Sequence, residues 1–219
     1  MVPAAGLATR LQPLAGSKEL LDVGGRPVID YVLERLRVAR CAEIRVVTRP
    51  DKRDVVMHAR RAGARVLEAE PPSLAASLVA GLDGLDADAV VLFGLPDSIW
   101  EPRDGFVRIL AALDEHTDVA LGLFRTSEPE RSDVVALGAD GRVTAVAVKP
   151  AEPRGNLIWG CGAASAGGLA GLADHVEPGR HFDALAKAGR VAGVDLQADF
   201  IDIGTRAALA RARSRLERR

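Results

Sequence analysis

Three short runs rich in branched apolar residues stand in the first half of the chain: Glu43-Ile44-Arg45-Val46-Val47-Thr48, Arg65-Val66-Leu67-Glu68 and Ala89-Val90-Val91-Leu92-Phe93. Each run has the length and composition of a β-strand, and a segment of helical length separates it from the next. Strands that alternate with helices form a parallel sheet with crossover helices. The pattern therefore predicts an α/β fold.

The flanking segments extend this prediction in both directions. Pro27 precedes apolar residues at helical spacing, and further helices are expected from Ser73 and after Pro102. Beyond Asp118 the pattern changes to successive strands, with the turn Ala139-Asp140-Gly141 between the last two. These strands are Val119–Phe124, Val134–Leu137 and Val143–Val148. We therefore expect a small antiparallel extension of the sheet.

The composition fits one well-filled domain over residues 1–219. The chain has 219 residues, 48% of them hydrophobic, and this length buries most apolar surface in a single core. With 29 basic and 30 acidic side chains the formal charge is −1. The length and apolar content exclude a long disordered protein, whereas the near-zero charge disfavours duplex DNA as a partner, so phosphate binding must be local.

Two cysteines, Cys41 and Cys161, lie too far apart to suggest a disulfide framework or a zinc site. No basic leader or long apolar run is present, so we expect a cytoplasmic protein without a membrane partner. The segment from Thr205 to Arg219 reads as a helix rich in arginine. Basic residues spread around a terminal helix are usually a solvated face, which disfavours nucleic acid as the partner.

The opening segment places small residues directly after a short strand and then adds an arginine: Val2-Pro3-Ala4-Ala5-Gly6-Leu7-Ala8-Thr9-Arg10-Leu11. Small side chains let backbone N–H groups approach a phosphate chain, and a guanidinium can bind its oxygens in a fork. The spacing matches neither the dinucleotide fingerprint nor the Walker loop. Taken alone, the segment is equally typical of a tight turn with a surface arginine.

Four further motifs follow it in order: Ser17-Lys18-Glu19-Leu20-Leu21, Gly94-Leu95-Pro96-Asp97, Val148-Lys149-Pro150 and Asp199-Phe200-Ile201-Asp202-Ile203-Gly204-Thr205. Together the five segments resemble the nucleotidyltransferases that make nucleoside-diphosphate sugars, such as glucose-1-phosphate thymidylyltransferase. The resemblance covers nearly the whole chain. It implies a Rossmann-like, mainly parallel mixed sheet with helices on both faces. It also implies that a nucleoside triphosphate and a sugar 1-phosphate react, with Mg²⁺, to release pyrophosphate.

The resemblance also implies site residues. Ala5, Gly6, Leu7 and Ala8 correspond to the backbone cradle for the nucleotide, and Arg10 and Lys18 to the residues on its phosphates. Asp97 and Asp202 resemble the two carboxylates that hold the metal. Lys149 resembles the lysine that binds the sugar phosphate.

Elementary chemistry agrees with these roles. The attacking phosphate oxygen is already anionic at neutral pH, so the reaction needs no general base. The barrier comes from repulsion between two polyanions and from charge that accumulates on pyrophosphate, which cations and positioning reduce.

The chain departs from the family pattern at the nucleotide side. Ala8 replaces a glycine, which is tolerated at negative φ and costly in the left-handed region. Glu68 and Ser73 stand where the family has a glutamine and a glycine. An ionised glutamate only accepts hydrogen bonds, so a Glu68 that faces the base would favour guanine or cytosine. Glu70 competes for this position.

The acceptor side departs as well. Val148 replaces a glutamate that binds sugar hydroxyls, Asp133 replaces a glycine, and Trp159 with Gly160 resembles the strand that lines the sugar pocket. These differences leave two alternatives to a sugar 1-phosphate enzyme: transfer to another acceptor such as phosphocholine, or a catalytically weak regulatory homologue. Retention of both carboxylates argues against the second. The chain has almost none of the first strand usually found upstream of the loop, which indicates a trimmed start. A homo-oligomer is a further possibility that the sequence does not decide.

Overall fold

The computed structural model describes residues 1–216, apart from the side chain of Asp199. In chain order its strands are β1 (Val2–Pro3), β2 (Arg45–Thr48), β3 (Arg65–Glu68), β4 (Val90–Gly94), β5 (Ser98–Trp100), β6 (Val119–Arg125), β7 (Val134–Leu137), β8 (Val143–Ala147), β9 (Leu157–Ser165) and β10 (Val191–Asp202). Its α-helices are α1 (Ile29–Val38), α2 (Arg53–Arg61), α3 (Leu74–Gly81), α4 (Gly105–Leu110), α5 (Ala166–Ala170), α6 (Pro178–Lys187) and α7 (Arg206–Leu216). Short 3₁₀ helices cover Thr9–Leu11, Lys18–Leu20, Pro129–Arg131 and Gly171–Asp174.

The first half of the chain forms the predicted parallel sheet. Strands β1, β2 and β3 pair in parallel in that order. Met1 N donates to Leu92 O at 2.6 Å and Gly94 N donates to Met1 O at 3.2 Å, which is the pattern of a parallel pair between the start of the chain and β4. The carboxyl ends of β1 and β4 therefore lie side by side.

The second half forms a larger, mixed ladder. Its order is β5-β10-β6-β9-β7-β8, and β4 also pairs with β9. Only β6 and β10 pair in parallel among these strands of residues 1–216. The antiparallel part thus takes in more strands than the small extension expected, because the long strands β9 and β10 join it.

Helices cover both faces of the sheet, as expected. On β4, Val91 and Phe93 pack into a core with α3, α5 and α6, whereas Leu92 packs on the opposite face with α1, α2 and α4. This alternation follows from the two-residue period of a strand. Each large apolar side chain buried in this way stabilises the fold by about 1.5–3 kcal/mol. The α/β class is confirmed.

A smaller cluster joins the segment before α1 to the end of the described chain. Val23, Val28 and Tyr31 pack there with Ile203 and Ala212, so α7 is fixed against the segment that precedes α1. This packing brings the end of β10 close to the loop that follows β1. Within residues 1–216 we find no helix with the length and apolar content needed to span a bilayer.

Candidate active site

A cleft of about 550 Å³ opens at the carboxyl ends of β1 and β4. In open α/β sheets ligands bind at this edge, because the loops that follow the strands converge there. Of the site residues expected from the sequence, those that line the cleft are Ala5, Gly6, Leu7, Arg10, Lys18, Ser73, Asp97, Asp133, Lys149, Trp159 and Asp202. The fold thus brings together side chains from both ends of the sequence.

Asp97 and Asp202 lie next to each other at one end of the cleft. Asp97 directly precedes β5 and Asp202 ends β10, and in this antiparallel pair Ser98 lies opposite Asp202. Ile203 N also donates to Asp97 O at 3.0 Å. Surrounding protein atoms that displace water raise the pKa of Asp202 above its ordinary value, and the nearby Asp97 carboxylate raises it further. Two carboxylates therefore repel each other at this point.

Lys18 brings positive charge to this pair. Its Nζ lies 2.6 Å from Asp97 Oδ2, and both side chains are largely buried. Burial acts to lower the pKa of Lys18, but the charge of Asp97 and the hydrogen bond to it outweigh burial, so the pKa lies above its ordinary value. Lys18 is therefore a cation at neutral pH, at the floor of the cleft.

Arg10 approaches Asp202 from the other side. The 3₁₀ helix Thr9–Leu11 carries Arg10 as an exposed residue. A Cβ atom at Gly204 would lie 2.8 Å from Asp202 Oδ1 and 3.3 Å from Arg10 Nη2, so both groups crowd the same glycine. Arg10 thus points a guanidinium toward the carboxylate pair, and solvent reaches it.

The loop after β1 holds an unfavourable residue. Ala8 has φ 54° and ψ 33°, which is the left-handed region. A Cβ atom makes this conformation costly, by about 1–2 kcal/mol, so Ala8 occupies the position where the family glycine is best suited. Ala8 itself does not line the cleft, whereas Ala5, Gly6 and Leu7 do.

The geometry corrects the expected placement of Glu68. This residue ends β3, and its carboxylate accepts a hydrogen bond from Arg60 Nη2 at 2.9 Å, outside the cleft. The strand ends there, and the chain then turns so that Glu70 lines the cleft. Arg49 Nη2 donates to Glu70 Oε2 at 2.9 Å. Glu70, not Glu68, is therefore the carboxylate that lines the cleft near Ser73.

Ser73 is a helix cap at the edge of the cleft. Its side-chain oxygen accepts a hydrogen bond from Ala76 N at 3.0 Å at the start of α3. Serine at this position satisfies a backbone N–H that a helix leaves unpaired. The cap explains why serine replaces the expected glycine without loss of the helix.

The opposite half of the cleft carries two more carboxylates. Asp133 accepts a hydrogen bond from Trp159 Nε1 at 3.1 Å, and burial raises the pKa of Asp133. Glu177 Oε1 lies 2.6 Å from Lys149 Nζ. Lys149 has φ 40°, a left-handed backbone conformation that is uncommon for a residue with a side chain. Glu177, which the sequence did not point to, supplies a carboxylate near the place where Val148 lacks one.

Trp159 and Gly160 serve the core more than the cleft. Only 8% of the Trp159 surface is exposed, and its ring packs edge-on against Phe93 and Phe182. A Cβ atom at Gly160 would clash with Phe200 Cε2, so the glycine makes room for an aromatic ring that itself lines the cleft. Gly160 does not line it, and Trp159 offers an acceptor only a small part of its surface.

Two residues behind the cleft were not expected. The Glu19 carboxylate is fully buried and both its oxygens lie 2.9–3.0 Å from Lys52 Nζ, which also donates to the carbonyls of Ala4 and Gly6. A buried carboxylate needs a cation nearby. The acidic residue between Lys18 and two leucines was therefore a sequence signal for a buried ion pair. Its partner, 33 residues away, could not be read from the sequence.

The basic terminal helix packs against the molecule over its described part. Arg206 donates to Gln12 O at 3.2 Å, Arg211 pairs with Glu128 at 3.4 Å, and Arg213 donates to Asp22 O at 3.0 Å. Arg218 and Arg219, counted in the sequence with this basic face, lie outside the described residues. These arginines of α7 thus have partners within the chain, whereas the sequence suggested a solvated face.

The chain matches one family model and several curated proteins. The model of the MobA-like NTP transferase domain matches residues 1–156. Glucose-1-phosphate thymidylyltransferase of Streptomyces griseus is 28% identical over 166 residues, which are 72% of this chain and 46% of that protein. The protein of the same name from Mycobacterium tuberculosis strain H37Rv is 28% identical over 165 residues, 71% of this chain and 57% of that protein. The chain spans about half the length of the curated relatives it matches.

Solved structures confirm the expected Rossmann-like fold. A Bacillus anthracis structure described as a glucose-1-phosphate thymidylyltransferase in complex with a sucrose has a TM-score of 0.85 at 20% identity, covering 98% of this chain and 93% of that chain. UDP-glucose pyrophosphorylase complexed with UDP-glucose has a TM-score of 0.85 at 15% identity, covering 99% and 97%. The resemblance seen in the five sequence motifs is confirmed, and the chain belongs to the family of the MobA-like NTP transferase domain.

Proposed function

We propose that this protein transfers a nucleotidyl group from a nucleoside triphosphate to a phosphorylated small molecule, with a sugar 1-phosphate as the first candidate acceptor. An acceptor phosphate oxygen attacks the α-phosphorus, the bond from that phosphorus to the β-phosphate oxygen breaks, and pyrophosphate leaves. The products are a nucleoside-diphosphate sugar and pyrophosphate.

One observation carries this proposal. Two cations, Lys18 and Arg10, and two carboxylates, Asp97 and Asp202, meet beside a backbone loop of small residues in one cleft. A triphosphate together with a divalent cation can satisfy this set, because phosphate oxygens accept from the loop and the two cationic side chains while the carboxylates bind the metal ion. A surface turn with unrelated charges would not account for carboxylates held together from sequence positions 97 and 202.

The residues of the chain act mainly on charge and position. Lys18 and Arg10 lie where they can bind the β- and γ-phosphates and stabilise the charge that develops on pyrophosphate. Lys149 approaches from the other half of the cleft, where its ion pair with Glu177 can open to bind the acceptor phosphate. Positioning of two reactants in this way removes much of the entropic part of the barrier.

The carboxylate pair fits a divalent cation. Asp97 and Asp202 repel each other, and oxygen ligands are those that Mg²⁺ prefers. Within residues 1–216 no group of three or more His, Cys, Asp or Glu side chains could hold a metal ion, so phosphates and water would complete the ligand set. When bound, Mg²⁺ neutralises phosphate charge and orients the triphosphate. Asp97 and Asp202 would hold it.

Glu70 supports a preference for particular bases. Its carboxylate only accepts hydrogen bonds, so it suits bases that present N–H donors, such as guanine or cytosine. Arg49 binds one oxygen of Glu70 and so fixes the carboxylate at the wall of the cleft. Guanosine and cytidine triphosphates are therefore the first candidates.

A phosphorylated amino alcohol such as phosphocholine is a second candidate acceptor. The acceptor half of the cleft carries Asp133 and Glu177 beside Trp159, and Lys149 offsets the charge of Glu177 directly. Carboxylates attract an organic cation, and Glu177 becomes available to one when Lys149 binds the acceptor phosphate instead. Sugar hydroxyls would bind the same carboxylates as donors, so the two acceptor classes must be compared by experiment.

The test is a screen of pyrophosphate release with the common triphosphates and a panel of acceptors, including hexose 1-phosphates and phosphocholine. Release that requires both a triphosphate and one acceptor supports the proposal. Triphosphate binding without release under any combination would instead indicate the regulatory homologue.

A further inference from the structure

The amine of Lys52 lies behind the loop that follows β1, on the side away from the cleft. Lys52 Nζ donates to Ala4 O at 3.0 Å and to Gly6 O at 2.6 Å. It does not line the cleft, although Ala5, Gly6 and Leu7 do. A single cation thus holds two carbonyls of the loop from outside.

The contact of Lys52 with the two carbonyls also sets the direction of the backbone N–H groups that follow them. In a trans peptide the C=O of one residue and the N–H of the next point in opposite directions. Because the carbonyls of Ala4 and Gly6 point to Lys52, the N–H groups of Ala5 and Leu7 point away from it, toward the cleft. Within residues 1–216 neither of these two N–H groups has a hydrogen-bond partner. Both N–H groups can therefore donate to a bound anion.

Glu19 makes the placement of this cation possible. Its carboxylate is fully buried, and Lys52 contacts both of its oxygens. The preceding residue, Lys18, faces the opposite way, toward Asp97. The same segment is fixed again by Ser17, whose N and Oγ donate to Asp54 at 2.9 and 2.7 Å. Lys52 therefore ties the backbone loop and the Lys18 segment into one unit.

We propose that Lys52, held by Glu19, is a positioning residue that aims the N–H groups of Ala5 and Leu7 at the triphosphate and sets their distance from Lys18. This inference rests on the proposed function. Lys52 touches no substrate. It acts by fixing two peptide planes, and its charge polarises them so that their N–H groups donate more strongly to an anion.

A double variant separates positioning from mere stability. In Lys52→Met combined with Glu19→Leu, apolar side chains replace a buried ion pair, a change that is often neutral or stabilising for the fold. We expect a melting temperature close to that of the wild type. The loop carbonyls nevertheless lose their donor, so the KM for the triphosphate should rise by about 10- to 100-fold, while the KM for the acceptor stays within about twofold. The single variant Lys187→Met, which breaks an exposed ion pair on α6, is the control and should change neither.

Binding of inorganic tripolyphosphate, measured by calorimetry on the same proteins, provides a readout without turnover. Its Kd should rise with the triphosphate KM in the double variant and in the single variant Lys52→Gln. An active wild type together with unchanged tripolyphosphate binding in either Lys52 variant would overturn this inference alone. A wild type that binds neither a triphosphate nor tripolyphosphate would contradict both this inference and the proposed function.

Discussion

Asp202 lies opposite Ser98, the residue that follows Asp97, so the pairing of β5 with β10 sets two carboxylates side by side. Displaced water and the charge of Asp97 together raise the pKa of Asp202. No feature of the described fold, residues 1–216, needs this repulsion for packing. The arrangement suits the divalent cation that we propose for this site.

Replacing Asp202 by Asn should abolish most activity and slightly stabilise the protein. The variant keeps the size of the side chain but removes the repulsion and one proposed metal ligand, so turnover should fall by about 10²–10³-fold or more. Protein atoms displace part of the water around Asp202, but the residue keeps exposed surface, so the gain in melting temperature should be modest. Asp195→Asn on the same strand removes a carboxylate paired with Arg125 and should leave turnover nearly unchanged.

The stability difference between wild type and Asp202→Asn should depend on pH. A carboxyl group whose pKa is raised by folding destabilises the native state where it is ionised, above its folded pKa. The wild type should therefore regain stability relative to the variant as the pH falls through the folded pKa of Asp202. Thermal unfolding measured from neutral to acidic pH follows this change. A difference that grows in acid would show that the pKa of Asp202 is not raised.

Arg10→Ala should reduce turnover far more than stability. The side chain is exposed and points to the carboxylate pair, so the fold depends little on it. Loss of one electrostatic contact to transition-state charge costs about 10²–10³-fold in rate. Arg103→Ala, which breaks an exposed pair with Glu34, is a control outside the cleft. A large loss of melting temperature with unchanged turnover would show that Arg10 only fixes the loop.

Glu70→Gln should change the preference among bases, and Glu68→Gln should not. A glutamine amide both donates and accepts, so the Glu70 variant should favour uracil and thymine over guanine and cytosine by up to about 1–3 kcal/mol relative to wild type. Glu68 is the matched control because it pairs with Arg60 outside the cleft. Competition between triphosphates, measured on the three proteins, distinguishes the two residues. A change of base preference in the Glu68 variant alone would show that Glu68, not Glu70, contacts the base.

Ala8→Gly should stabilise the protein. The left-handed backbone of Ala8 costs about 1–2 kcal/mol, and the greater freedom of glycine in the unfolded chain offsets part of the gain. We expect the free energy of unfolding to rise by up to about 1 kcal/mol in denaturant titrations. Ala170→Gly, at an exposed position with helical dihedral angles, should lower it by a similar amount. Equal losses in both variants would exclude strain at Ala8.

The parallel part of the fold was predictable from local pattern. The three predicted runs contain β2, β3 and most of β4, at residues 43–48, 65–68 and 89–93. Short runs of branched apolar residues between helical segments are typical of buried strands. β9 was less visible, because Gly160, Gly162 and two alanines give it little intrinsic strand propensity. β9 is a strand because it pairs with β4, β6 and β7. The extent of the antiparallel ladder depends on these long-range pairings, which the local sequence does not reveal.

The candidate site was predictable where a residue lies inside a motif. Lys18, Asp97 and Asp202 reach the cleft as expected, because strand ends and short loops leave them little freedom. Glu68 does not reach the cleft although it lies at a strand end, because β3 ends at that residue and the chain turns before Glu70. Lys52 and Glu177 were missed because each pairs with a residue distant in sequence, Glu19 and Lys149.

The most direct test of nucleotidyl transfer follows a label in the α-phosphate. Wild-type protein, Mg²⁺, an α-³²P-labelled triphosphate and the acceptor chosen by the release screen are combined, and label and pyrophosphate are both quantified. We expect label in a product that contains the acceptor, one pyrophosphate for each label transferred, and loss of both in Asp202→Asn. Pyrophosphate release with the label remaining in free nucleoside monophosphate, at the same rate without acceptor, would contradict nucleotidyl transfer.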